Sequence, residues 1–195
     1  MIASERQAFI GHQFEVADRS KKHCLVIHLL RYLESFRFRK FGSDPFMQNM
    51  NKDRVAEALE LFESGYNCSQ SVLGVFCDEL DLSRETAFKI ASPFGGGFGG
   101  YGKACGALTG AMMVIGLRYG NSKGNDLESK KLSRDMTRKF LEAFEQAHGS
   151  CVCNDLLGLD RSHLSGPELQ AIQPCIREKC PKLLVTAITL LEEEF

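Results

Sequence analysis

From residue 51 onward, apolar positions recur with the period of an α-helix. Val55, Ala58, Leu59 and Phe62 fall at i, i+3, i+4 and i+7, the spacing that lines one face of a helix. Gly65 follows as a stop. Asn67 and Gln70 form a variant of the capping box, predicting a second helix with Val72, Val75, Phe76 and Leu80 inward. A short helix is predicted from Ser83 to Ile90. Pro93 and six glycines between Gly95 and Gly102 make the next stretch a loop. Beyond it, Leu108, Ala111, Met112, Ile115 and Tyr119 mark a helix ending near Gly120. Asp126 to His148 is the clearest amphipathic segment, with Leu132, Met136, Phe140, Ala143, Phe144 and Ala147 on one face. Ser150 is placed to cap a short helix through Leu157. Ser165 and Glu168 form a capping box with Pro167 in the first turn. Pro181 is expected to begin a last helix with Leu184, Ala187, Ile188 and Leu191 inward. No convincing strand stands between these segments. The predicted fold is all-α: a compact bundle of five to seven short helices with a glycine-rich loop.

The pattern divides the chain. Residues 51–195 are expected to form the helical, cysteine-rich domain. Residues 1–50 carry helical pieces (Cys24 to Phe36) but no clean apolar face. They hold eight Lys and Arg against five Asp and Glu, a balance of +3, whereas the whole chain stands at −1. Two readings fit residues 1–50: sequence upstream of a true start at Met47 or Met50, which is preferred, or a basic arm that packs on the domain or binds a partner. A net charge so near zero gives no global field toward nucleic acid. The run Arg37 to Lys40 is read as solvated surface, so no nucleic-acid partner is expected. The apolar run Cys24 to Leu30 falls far short of the ~20 residues of a membrane span, and residues 1–23 show no secretory pattern. A cytoplasmic protein without membrane attachment is expected.

The glycine loop invites a phosphate reading, which its neighbours oppose. Gly95, Gly97 and Gly100 match G-x-G-x-x-G, but the preceding segment reads as helix and residue 120 is glycine, not an acid. Gly97, Gly102 and Lys103 match most of a P-loop, but Ala104 stands where Ser or Thr would hold Mg²⁺. The loop is therefore read as a hinge and spacer that delivers Cys105. Gly106, Gly110 and Gly116 lie inside the following helix, where each costs ~1 kcal/mol relative to alanine. They are expected where another helix or a bound group comes very near.

The eight cysteines change the picture most. In a reducing compartment such a set points to redox chemistry or metal binding rather than a static disulfide framework. Five are predicted at helix N-termini: Cys68 after its cap, Cys105 in a first turn, Cys151 and Cys153 after Ser150, and Cys180 before Pro181. Unpaired N–H groups and the positive helix end stabilise a thiolate there. Cys77 faces away from Cys68 and reads as packing. Cys24 lies in the N-terminal part, and Cys175 lacks a helix-start position.

These motifs resemble the C-GCAxxG-C-C family of redox-active proteins, over about residues 53 to 193. The matching stretches are YNCSQSVL (Cys68), CGALTG (Cys105 to Gly110), CVCNDLLG (Cys153, or Cys151) and KCPKLLV (Cys180). One departure stands out. The family name has Gly-Cys-Ala, whereas this chain reads Ala104-Cys105-Gly106-Ala107, with the cysteine one place early. The resemblance implies thiol redox chemistry with an unidentified redox partner or electron donor.

Three functions are open at this level. The first is a thiol–disulfide redox protein, with Cys68 and Cys105 as the expected exchanging pair and Cys153 and Cys180 as resolving or relay thiols. The second is a metal or iron–sulfur electron-transfer protein with the same four thiolates as ligands, although the Cys-x-Cys and Cys-x₄-Cys spacings lack the regularity of such sites. The third is a helical interaction protein whose cysteines only pack. His148 and His163 are further candidates for a base near Cys153. The sequence names no cofactor.

Overall fold

The computed structural model describes residues 45–194, with side chains from residue 54. Cys24, the Cys24–Phe36 helical pieces and the basic run Arg37–Lys40 lie outside the described residues. Among those described there are eight α-helices and no β-strand: α1 (Pro45–Glu63), α2 (Cys68–Gly74), α3 (Arg84–Ala91), α4 (Gly106–Tyr119), α5 (Leu127–His148), α6 (Cys153–Leu157), α7 (Gly166–Ala171) and α8 (Gln173–Glu194). The fold is all-α as expected, with one helix more than the upper count. None of these helices is long and apolar enough to cross a membrane.

The main boundary error is at the last helix. Pro181 lies inside α8 rather than at its start. An interior proline costs roughly 3 kcal/mol in a helix. Against that, α8 buries Cys180, Leu183, Leu184, Ala187, Ile188 and Leu191 along one face, and each large aliphatic side chain contributes about 1.5–3 kcal/mol. Pro174, in the first turn where the missing N–H is harmless, is the start signal that the chain uses.

At the centre is α2, where every residue but Gln70 is buried. Its start is fixed by Asn67, whose side chain accepts from the N–H groups of Ser69 (3.0 Å) and Gln70 (3.1 Å), while the Asn67 N–H donates to Gln70 Oε1 (3.0 Å). α4 lies directly against it. A Cβ at Gly106 would stand 2.9 Å from Cys68 Cβ, and one at Gly110 would stand 2.8 Å from the Ser69 carbonyl oxygen. Both glycines are therefore required by close helix approach, as expected, whereas Gly116 faces open space.

From their mutual contacts, α2, α4 and the second half of α8 run in the same direction. Their cysteines gather at one end. At the other end the Arg54 and Arg118 guanidiniums both lie over the Phe76 ring, at 4.7 and 5.1 Å from its centroid. There Arg118 Nη1 donates to the Leu191 carbonyl at 3.2 Å and Arg118 Nε to Glu79 at 2.9 Å, while Arg54 pairs with Glu79 (2.8 Å) and Glu192 (3.2 Å). The long α5 lies along the outside, inserting Phe140 and Phe144 into the core.

A candidate thiol site under the glycine loop

Four cysteines from four parts of the chain meet: Cys68 at the first residue of α2, Cys105 at the cap of α4, Cys153 at the first residue of α6, and Cys180 in the middle of α8. All are buried, exposed by only 2% at Cys105 and 8% at Cys68. Cys68 and Cys180 are close enough to shift each other's thiol strongly, and Cys105 and Cys153 act on them electrostatically.

Local sequence explains how each arrives. An isolated antiparallel bridge pairs Ala104 with Val152. Around it the Cys105 N–H donates to the Cys151 carbonyl (2.9 Å), and the Cys153 N–H to the Lys103 carbonyl (2.6 Å). Side chains alternate across such a pair, so Ala104 and Val152 face away while Cys105 and Cys153 share the inner face. Cys151 does not join the cluster: its sulfur lies 3.8 Å from the Leu141 carbonyl. Cys175 turns to the Leu157 carbonyl (3.5 Å). Cys77 is buried with its thiol on the Leu73 carbonyl (3.5 Å), a packing cysteine as expected.

The glycine loop covers this cluster, and it is folded rather than hinge-like. After a single 3₁₀ turn at Ser92–Phe94, every residue from Gly96 to Gly100 has a positive φ, Phe98 included at 61°. The Gly99, Gly100, Gly102 and Lys103 N–H groups donate to the Pro93, Gly95, Gly96 and Gly97 carbonyls at 2.7–3.2 Å. Those donors are spent within the loop and form no phosphate cradle. Glycine is needed most at Gly97, where a Cβ would stand 2.4 Å from Lys103 N and 2.9 Å from Cys153 Cβ.

Helix termini explain less of the electrostatics than the sequence suggested. Cys151 precedes α6 instead of opening a helix, and Cys180 is interior to α8. Burial pushes the Cys105 thiol up to about 12, although the N–H groups of Ala107 and Leu108 favour its thiolate. Desolvation disfavours a charged sulfur, and here it outweighs the helix end. Burial likewise raises Cys153. Donation to Cys180, followed by burial, raises Cys68 well above the ordinary thiol range. Cys180 goes the other way: the Cys68 hydrogen bond, with help from Arg161, lowers it. Charge is therefore easiest to place on the Cys68–Cys180 pair, where one thiol supports its neighbour's thiolate.

The residue that sequence reading missed is Arg161. α6 ends at Gly158 in the left-handed region (φ 71°), which turns the chain back on itself. The Arg161 N–H then donates to Asn154 Oδ1 (3.1 Å), next to Cys153, and its positive charge partly offsets the burial that raises the Cys153 thiol. The available signal was a cation a few residues past the glycine stop of a cysteine-started helix. The two histidines lie elsewhere. His148 Nε2 meets Thr186 Oγ1 at 2.9 Å, and His163 is exposed with its ring 6.1 Å from that of Tyr101.

Among the described residues, no three His, Cys, Asp or Glu side chains are arranged to hold a metal ion, so the geometry lends no support to a four-thiolate centre. The shifted Cys-Gly motif has a steric counterpart. Residue 106 has no room for a side chain against Cys68, and Cys105 joins the cluster from the cap position instead. No curated protein and no solved structure matches the chain. A family model described as "Putative redox-active protein (C_GCAxxG_C_C)" matches residues 66–194, the stretch that supplies all four clustered cysteines together with Arg161. The chain belongs to that C-GCAxxG-C-C family.

Proposed function

We propose that the protein is a thiol–disulfide redox protein whose exchanging couple is Cys68 and Cys180, with Cys105 and Cys153 as neighbouring relay thiols. The observation that carries this reading is a group of four buried cysteines from four elements that act on one another's charge, with Cys68 and Cys180 acting on each other most strongly. A thiol donating to a thiolate is the arrangement from which a disulfide closes. The expected partner of Cys68 is therefore Cys180 rather than Cys105.

The exchange balances as follows. The Cys180 thiolate attacks one sulfur of a disulfide R–S–S–R and forms a mixed disulfide, and the departing R–S⁻ takes a proton. Cys68, losing its proton, attacks the Cys180 sulfur and expels the second R–S⁻, which is protonated in turn. The protein is left with a Cys68–Cys180 disulfide, and the partner is reduced by two electrons. The low charge-bearing tendency of Cys68 and Cys105 suits them to resolving and storing rather than first attack.

The test is to reduce the protein under anaerobic conditions, equilibrate it with oxidised dithiothreitol, and map cross-linked peptides by mass spectrometry. Loss of two hydrogens with a Cys68–Cys180 peptide is the expected result, and Cys180→Ser should remove it. A chain that keeps all its thiols, joins Cys151 or Cys175 instead, or holds stoichiometric metal at the four cysteines overturns the reading.

A further inference from the structure

Resting on that dithiol reading, we infer that the glycine loop is a gate over the buried thiols, latched along its free edge by a Ser162 hydroxyl that Tyr101 and Asp160 share. Exchange requires an opening of this kind. Cys68, Cys105, Cys153 and Cys180 are each at most 8% exposed, whereas a partner's sulfur must touch the sulfur it exchanges with. Gly97 is the cover, since a Cβ there would stand 2.9 Å from Cys153 Cβ. The loop is built to move as one body. The Gly99, Gly100, Gly102 and Lys103 N–H groups all bond carbonyls between Pro93 and Gly97, so lifting the loop breaks none of these bonds. At its exit the Gly102 and Lys103 carbonyls accept from the Asn154 (3.0 Å) and Cys153 (2.6 Å) N–H groups, which makes that end the pivot. The free edge faces the turn that follows α6. Among the described residues, one hydrogen bond crosses this edge, from Ser162 Oγ to the Tyr101 carbonyl at 3.0 Å. Beside it the Tyr101 and His163 rings meet edge-on, and the Arg161 guanidinium lies against Gly96. Phe98 and Tyr101 are already 45% and 53% exposed, so the tip gives up little buried apolar surface when it lifts.

The latch is divided between two acceptors. A serine hydroxyl has one proton to give. Ser162 Oγ stands 3.0 Å from the Tyr101 carbonyl oxygen and 2.6 Å from Asp160 Oδ1, so it donates to one of them at a time. Asn154 Nδ2 donates to the same hydroxyl at 3.3 Å and fills one of its lone pairs. Asp160 Oδ1 is held in place by Asn154 Nδ2 (2.7 Å) and by the Ser162 N–H (2.9 Å). A carboxylate is a stronger acceptor than a neutral carbonyl, and here it is also the nearer one. With the proton on Tyr101 the edge is fastened. With the proton on Asp160 the Tyr101 carbonyl loses this donor, and the loop is free to lift from Cys153. Asp160 thus keeps the latch weak, and the two residues have opposite effects: Ser162 closes the gate, and Asp160 releases it.

The experiment labels the reduced full chain with N-ethylmaleimide and follows each cysteine by peptide mass spectrometry, with Cys77 as internal control. Cys77 is 1% exposed, with its thiol on the Leu73 carbonyl, and reacts only through wider unfolding. Cys153 should react at least about tenfold faster than Cys77. Ser162→Ala should speed Cys153 about threefold, the effect of one ordinary hydrogen bond, and leave Cys77 unchanged. Asp160→Asn competes less well for the hydroxyl proton and should slow Cys153 by about the same factor. If the alanine variant fails to fold, that slowing carries the test alone. General loosening of the turn would instead speed both variants. Cys153 and Cys77 reacting together, an unchanged Cys153 rate, or a shift of the same sign in both variants overturns the gate. A chain with that result that still forms the Cys68–Cys180 disulfide keeps the dithiol reading. A chain whose Cys153 follows the expected rates yet forms no such disulfide keeps the gate and overturns the dithiol reading.

Discussion

The two ends of the core handle buried charge in opposite ways. At the far end of α2, α4 and α8, Arg54 and Arg118 are matched by Glu79 and Glu192 around the Phe76 ring. Every ion there has a partner of fixed charge. At the near end one guanidinium acts on two of the four clustered thiols, Cys153 and Cys180, groups whose charge can change. Fixed pairs make a clamp. Titratable, oxidisable groups beside a single cation make a site at which a proton or an electron pair can move. The same three helices present both ends, so the difference lies in side-chain chemistry and not in the packing geometry.

The largest effect expected at the thiol end is steric. Gly97→Ala combines a φ of 74° with a Cβ 2.4 Å from backbone, and should cost about 3 kcal/mol or more in urea unfolding. Gly99→Ala, with a φ of 59° and open space around it, should cost only about 1–2 kcal/mol, the left-handed penalty alone. Equal losses at the two positions would show that the loop does not press on Cys153.

A pH effect of intermediate size should separate the two ends. The fold raises the Cys105 thiol from its ordinary 9.0 to about 12, so it favours the protonated form. That contribution is complete below pH 9 and is lost as pH climbs toward 12, because the unfolded chain ionises first. The melting temperature should therefore fall above pH 9, and fall less steeply in Cys105→Ala. Parallel alkaline profiles for the two proteins would remove the assigned cause.

The smallest effect belongs to the clamp. Glu79 is 39% exposed, and partly exposed pairs contribute little. A double-mutant cycle of Arg118→Ala and Glu79→Ala should give a coupling below about 1 kcal/mol. A coupling several times larger would mean that this end, too, is set by its charges rather than by Phe76 and the apolar contacts beneath it.

Much of the helical framework was legible because its signals are local. The Asn67–Gln70 cap, the Asp126 start of α5 and the Gly65 stop are one-turn features read within a few residues, and the inward face of α4 follows from periodicity, whereas on α5 Leu132 and Ala147 are exposed and only Phe140 and Phe144 are buried. Pro181 misled for the same reason: a proline is a local start signal for a helix, overruled here by an apolar face of α8 buried on both sides of it. Cys68, Cys105, Cys153 and Cys180 could be singled out, but their pairing could not. Expecting Cys68 with Cys105 relied on helix ends, whereas the proposed partner of Cys68, Cys180, lies in the interior of a distant helix.

What the sequence determined by itself was the set of rods, their apolar faces, the glycine positions and the identity of the thiols, since each depends on neighbours within a turn or two. What only the tertiary structure decided was which sulfur lies beside which, that burial overrides the helix ends, and that Arg161 returns to the cluster after the Gly158 turn. These are effects of desolvation and through-space charge. They depend on distances between residues far apart in the chain, and no local pattern encodes those distances.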